Sequence, residues 1–167
     1  MSRSFDVPSP DRFTAGTVGE PGHRVFYLQA GSASGDVTLR LEKTQVAALA
    51  EFVGDLLADL PPVPPSERPG PADLALRQPV EDEWVVGSIG VAYDEDEDRV
   101  VLVVEELGED DEDTATARFR LTRAQAAAFV EHARELVAAG RPPCPFCGRP
   151  LDPEGHVCPR SNGHLAT

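Results

Sequence analysis

Lysine is nearly missing from this sequence. Lys43 is the only one, and the other fourteen basic residues are arginine. The many Ala, Gly and Pro residues point to codon bias in a GC-rich genome rather than to a special role for Lys43. Cysteine is absent until Cys144, so no disulfide framework can hold the first 143 residues. No stretch approaches the roughly 20 apolar residues that a membrane helix needs. The opening MSRSFDVPSPDRF has no apolar segment and no cleavage pattern of a secretory signal. A cytoplasmic protein with reduced thiols is expected, and there clustered cysteines read as metal ligands before disulfides.

Positive charge is scarce as well. The formal net charge is -14, from 29 acidic and 15 basic residues. Such a surface repels phosphate backbones and anionic lipid, so neither nucleic acid nor a membrane is expected as partner. The acid is uneven. Residues 141–167 hold three arginines against Asp152 and Glu154, a balance of +1, which leaves -15 on the first 140 residues. Hydrophobic residues at 41% suit an ordinary globular protein and exclude disorder throughout.

Along the chain, residues 1–12 are rich in Pro and Ser and are expected to be irregular or loosely extended. Phe13 to Gly19, His23 to Ala30 and Asp36 to Leu41 read as strands, the last alternating apolar and polar residues. A helix to about Leu60 follows, with Val46, Leu49, Val53, Leu56 and Leu60 on one stripe. Six prolines in residues 61–71 exclude a helix or central strand and predict a stiff, extended linker. The pattern then restarts. Trp84 to Tyr93, Arg99 to Glu105 and Thr114 to Leu121 read as strands, and Arg123 to Ala139 as a helix. Thr122 and Gln125 form a capping-box pattern, and Gly140 with Pro142 ends the helix.

The halves match by residue. Phe13, Gly16 and Gly19 align with Trp84, Gly87 and Gly90. Leu39-Arg40-Leu41 aligns with Phe119-Arg120-Leu121. At the same offset Gln45 meets Gln125, and Glu51 meets Glu131. The expected fold class is therefore α+β, a duplicated β-β-β-α unit of mainly antiparallel strands with two helices. Repeat one spans 13–60 and repeat two 83–140. One such unit has a marginal core, so the two are expected to share one domain over 1–140. The paired glycines are read as sites of sheet curvature before close approach of a ligand or backbone.

The tail, residues 141–167, carries the strongest motif. Cys144 and Cys147 are two residues apart, with Gly148 permitting the tight turn that aims both sulfurs at one ion. Cys158 supplies a third thiolate. His156 or His164 completes a Cys3His set, a composition typical of structural zinc. His156 is favoured because it stands two residues before Cys158 on an extended segment. A redox Cys-x-x-Cys usually opens a helix, which Gly148 and Pro150 oppose. With four protein ligands the Zn2+ site would be closed and structural.

Elsewhere the chemistry is thin. Asp94–Asp98 places carboxylates like the start of an EF-hand, but Arg99 replaces the required glycine and the flanks are strands. That run and Glu109–Asp113 read as solvated hairpin loops. His23 and His132 are isolated. Arg40 and Arg120 fall at matching positions and are read as outward-facing strand residues before a paired anion site. No catalytic triad, phosphate loop or dinucleotide fingerprint is present.

The stretches SRSFDVPSPDRFTAGTVGEPGHRVFYLQA, LRLEKTQVAALAE, FRLTRAQAAAFVEHA and PPCPFCGRPLDPEGHVCPRSNGH carry a resemblance over nearly the whole chain. On them it resembles an uncharacterised actinobacterial family, the domain-of-unknown-function family numbered three thousand and ninety. The resemblance implies a position 164 that is often not histidine. It also implies a genetic neighbourhood with a phosphoglycerate-mutase-like phosphatase and a kinase-like protein, hence a place beside phosphoryl chemistry. The leading expectation is a zinc-containing, non-enzymatic interaction or regulatory protein with a protein partner. The alternative is an enzyme or ligand-binding subunit using a cleft between the repeats.

Overall fold

A computed structural model describes residues 2–20, 22–109 and 113–139, with the backbone of His156–Val157 and Leu165–Ala166. Three antiparallel strands open the main body: β2 (Arg12–Val18), β3 (Val25–Ser32) and β4 (Gly35–Leu41). Alternation sends Phe13, Ala15, Leu28, Ala30 and Leu39 to the core. The β3–β4 turn is tight, with Ser32 opposite Gly35, whose φ of 120° favours glycine. Helix α1 (Lys43–Ala58) buries Val46, Leu49, Ala50 and Val53 and stops at Asp59, just before Pro61.

The second half has the same order of elements. Strands β5 (Val86–Asp94), β6 (Arg99–Glu106) and β7 (Thr116–Leu121) precede α2 (Arg123–Ala139). A short N-terminal strand, β1 (Phe5–Val7), lies parallel to β7, so this sheet runs β1-β7-β6-β5 and is mixed. The backbone of His156–Val157 (β8) pairs antiparallel with Leu165–Ala166 (β9).

Residues 83–85 join the two sheets. The Glu83 N–H donates to Thr38 O at 2.8 Å, and the Arg40 N–H to Trp84 O at 3.1 Å. On their other side the Leu107 N–H donates to Val85 O at 2.7 Å. The helices cross over between halves: α2 lies on β2, α1 lies on β5, and the helices pack on each other. One glutamine at the start of each helix fixes this arrangement. Gln45 Oε1 accepts the Glu42 N–H at 2.7 Å while its Nε2 donates to Val86 O at 3.1 Å. Gln125 Oε1 accepts the Thr122 N–H at 3.0 Å while its Nε2 donates to Pro10 O at 2.7 Å. Thr122 Oγ1 completes the capping box by accepting the Gln125 N–H at 3.0 Å.

The apolar faces of both sheets and both helices form one core. At its centre Phe13 of β2 meets Phe119 of β7 and Phe129 of α2, with ring centroids 5.5 and 5.1 Å away in tilted geometry.

Two stretches differ from expectation. Residues 1–12 are not wholly irregular, because β1 pairs with β7; a three-residue strand carries too little pattern to be seen in sequence. The proline-rich linker is not simply extended. Pro65–Glu67 and Pro71–Leu74 wind into 3-10 turns, each beginning near a proline that lacks only an N–H no turn would use.

Replacing Phe129 by alanine should cost about 3–5 kcal/mol of stability, read by urea unfolding. Because the halves share this core, Trp84 fluorescence and far-UV circular dichroism should report one coincident transition. Two separated transitions would contradict a common core.

Candidate functional site

Four polar side chains, Arg12, Thr14, Gln29 and Thr38, are buried on the face of the first sheet opposite the core. Residues 74–77 lie across that face as a strap. Thr14 Oγ1 donates to Leu74 O at 2.6 Å, and the Arg12 guanidinium donates to Ala75 O. Gln29 Oε1 accepts from Arg12 and from the Arg77 N–H, both at 2.8 Å. Its amide nitrogen donates to Thr38 Oγ1 at 3.0 Å and to Arg77 O at 3.2 Å. Arg77 in turn pairs with Asp36 at 3.3 Å. Burial, with the nearby Arg77 charge, lowers the Arg12 pKa from its ordinary value. Arg12 is only 3% exposed, so carbonyl and amide oxygens stand in for water around it.

Gly16 is explained by the same strap. A Cβ there would stand 2.4 Å from Leu76 Cγ, so close approach, not curvature, requires this glycine. At Gly87 both readings hold: the β5–β6 register shifts between Val86 and Ser88, and a Cβ there would stand 2.8 Å from Leu107 Cα. Gly19 follows β2 with φ 108° and serves a turn.

The acidic β5–β6 hairpin is tied down at its ends. Asp94 pairs with Arg120 at 3.2 Å. Asp98, at φ 53°, accepts from Arg123 Nε at 2.8 Å and from the Tyr93 hydroxyl at 2.6 Å. Arg123 also donates to Pro61 O at 2.7 Å, linking hairpin, helix and linker. The Arg123 bond, then the Tyr93 bond, lowers the Asp98 pKa, and the Asp98 bond raises those of Tyr93 and Arg123. Glu95, Asp96 and Glu97 remain at the surface. Glu106 holds the N-terminal segment instead. Its carboxylate accepts from the Ser2 hydroxyl and from the Ala115 N–H, and both lower its pKa.

Of the residues singled out in sequence, Cys144, Cys147, Cys158 and His164 lie outside the described residues, as do residues 110–112 of the second acidic run. Only the backbone of His156 is described. Among the described residues no group of three or more His, Cys, Asp or Glu could hold a metal ion. His23 is exposed, and His132 Nε2 lies 3.0 Å from Ala15 O, bonding α2 to β2. Arg40 is exposed on β4, while Arg120 on β7 is taken by Asp94, which fits outward-facing strand arginines. The strap over Arg12 was not legible. Its only sequence trace is the alternation of Arg12, Thr14 and Gly16 with the apolar Phe13 and Ala15.

Open grooves mark the surface among the described residues. One of about 360 Å³ runs between α1 and α2 beneath Pro61–Val63. One of about 710 Å³ separates β1 from the β3–β4 turn, and one of about 360 Å³ lies beside Glu105 and Glu106. No helix among the described residues is long and apolar enough to cross a membrane.

These features define an α+β protein with two helices, joined antiparallel and mixed sheets, and shifted ionisable groups that hold chain segments together. The chain belongs to the family described as Protein of unknown function (DUF3090), which matches residues 5–158. No curated protein and no solved structure matches it.

The Asp98 tie makes a pH prediction. Its folded pKa lies below the ordinary 3.8, so its stabilisation is present above about that pH and is lost as pH falls further. Tyr93 is raised above the ordinary 10.0, so its contribution holds below that value and fades as pH rises beyond it. Asp98→Asn, which tolerates the same positive φ, should flatten the fall in stability below about pH 4. Acid titration of both proteins by circular dichroism checks this, and equal slopes would remove the tie from the account.

Proposed function

We propose that this chain is a zinc-containing, non-enzymatic interaction or regulatory protein of the cytoplasm, with a protein as its partner. Cys144, Cys147, Cys158 and His156 hold one structural Zn2+ in residues 141–167, with His164 as the alternative fourth ligand. The observation that carries the reading is the ligand spacing, two residues within the first cysteine pair and one between His156 and Cys158. The matched span of the family contains all four and ends before His164, which supports His156.

The body supports a binding role in a second way. Among the described residues each shifted ionisable group serves a structural bond: Arg12 under the strap, Asp98 with Tyr93 and Arg123, and Glu106 at the N-terminal segment. Catalytic groups, by contrast, face a space where a substrate can sit, and of these groups only Glu106 borders a groove, with its carboxylate already taken by Ser2 and the Ala115 N–H. We also read the two halves as copies of one β-β-β-α unit. Gln45 and Gln125, aligned in sequence, both cap their own helix and both bond to backbone outside their own unit.

Metal analysis of purified protein should find about one zinc per chain, and less than half an equivalent would sink the metal site. Stopping the chain after Gly140 should abolish zinc binding yet leave the thermal transition of the body within a few degrees. Among the described residues the buried core runs from Val7 to Ala133, all before that point. Loss of the folded body on truncation would instead make the tail part of the core.

A further inference from the structure

The groove between α1 and α2 holds an unusual concentration of positive charge for so acidic a chain. Arg68 from the linker and Arg134 from α2 both line it, against a single carboxylate, Glu131. Glu131 takes Arg68 Nη1 at 2.8 Å. The Arg68 Nε is buried and has no hydrogen-bond partner. Among the described residues Arg134 has no carboxylate within ion-pair distance, although residues 1–140 carry a net -15.

Gly54 of α1 faces Arg134, and a Cβ at that position would come 2.7 Å from Arg134 Nη2, a contact the exposed guanidinium could relieve by a small shift. The remaining walls, Leu57, Val63 and Val130 among them, are apolar, and the groove measures about 360 Å³, within the range of small-molecule sites.

We propose that this groove binds a small molecule with a carboxylate or phosphate on an apolar body. The Arg134 guanidinium, with that of Arg68 beside it, takes the anion, and Leu57, Val63 and Val130 take the apolar part. A guanidinium presents its N–H groups in a planar fork that suits either anion. The site is independent of the zinc reading and would stand if that failed.

The test is an amide-shift titration of the full chain by NMR with phenyl phosphate, benzoate, inorganic phosphate and phenol. Saturable shifts at Gly54, Ala58 and Ala127 are expected with one or both aromatic anions, and whichever binds tighter identifies the anion class. Inorganic phosphate should bind more weakly, and phenol should leave these amides unmoved. Arg134→Gln, at an exposed position, should weaken binding about tenfold to a hundredfold. Glu131→Gln should tighten it by releasing Arg68, an effect that a purely structural pair would not give. The proposal is overturned if neither aromatic anion saturates in the millimolar range, or if Arg134→Gln binds as the parent does. Phenol binding as well as phenyl phosphate would also overturn the anion site. Inorganic phosphate matching phenyl phosphate would overturn the apolar part.

Discussion

Phe13 packs on Phe119 and Phe129, and this contact between the first strand of one half and the last elements of the other organises the molecule. A three-stranded meander with one helix buries too little apolar surface to stand alone. Here neither half attempts it. Each helix covers the opening strand of the opposite half, so the two apolar faces close on one another. The glutamine at each helix start then serves twice, satisfying the helix's own leading N–H and fastening it to backbone distant in the chain.

The strap follows from the same geometry. Once the first sheet turns its apolar side to the helices, Arg12, Thr14 and Gln29 face the other way, and a bare polar face would simply be hydrated. Instead the chain returning from the linker lays Leu74 to Arg77 across it, and its carbonyls answer the buried donors one by one. The linker is thereby a structural element, anchored at one end by Arg123 on Pro61 and at the other by Gln29 on Arg77.

Much of this was legible in the sequence. Alternation in Asp36 to Leu41 and Thr114 to Leu121, and the 46-49-53 stripe, located strands and helix because burial there is one-sided and periodic. The capping box at Thr122 was readable because it is local. What escaped reading depends on distant backbone. The three residues of β1 have meaning only beside β7, and the absent side chain of Gly16 only beneath Leu76. The pairing of Arg134 with Gly54 escaped for the same reason, since the two sit on different helices. Sequence did supply the Cys144, Cys147, His156 and Cys158 spacing, which needs no tertiary knowledge to be recognised.

The parallel pairing of β1 with β7 also bears on how the chain is made. The Thr116 N–H donates to the Ser4 hydroxyl, 112 residues earlier in the chain. A ribosome adding roughly 5–20 residues per second separates the emergence of the two by about 6–22 s. For that interval β1 has left the tunnel without a strand to join, and β2 waits for the helix that will cover it. Native structure therefore arrives late and nearly at once, when α2 clears the ribosome. A nascent chain arrested before that helix should be far more open to proteases than its length alone suggests.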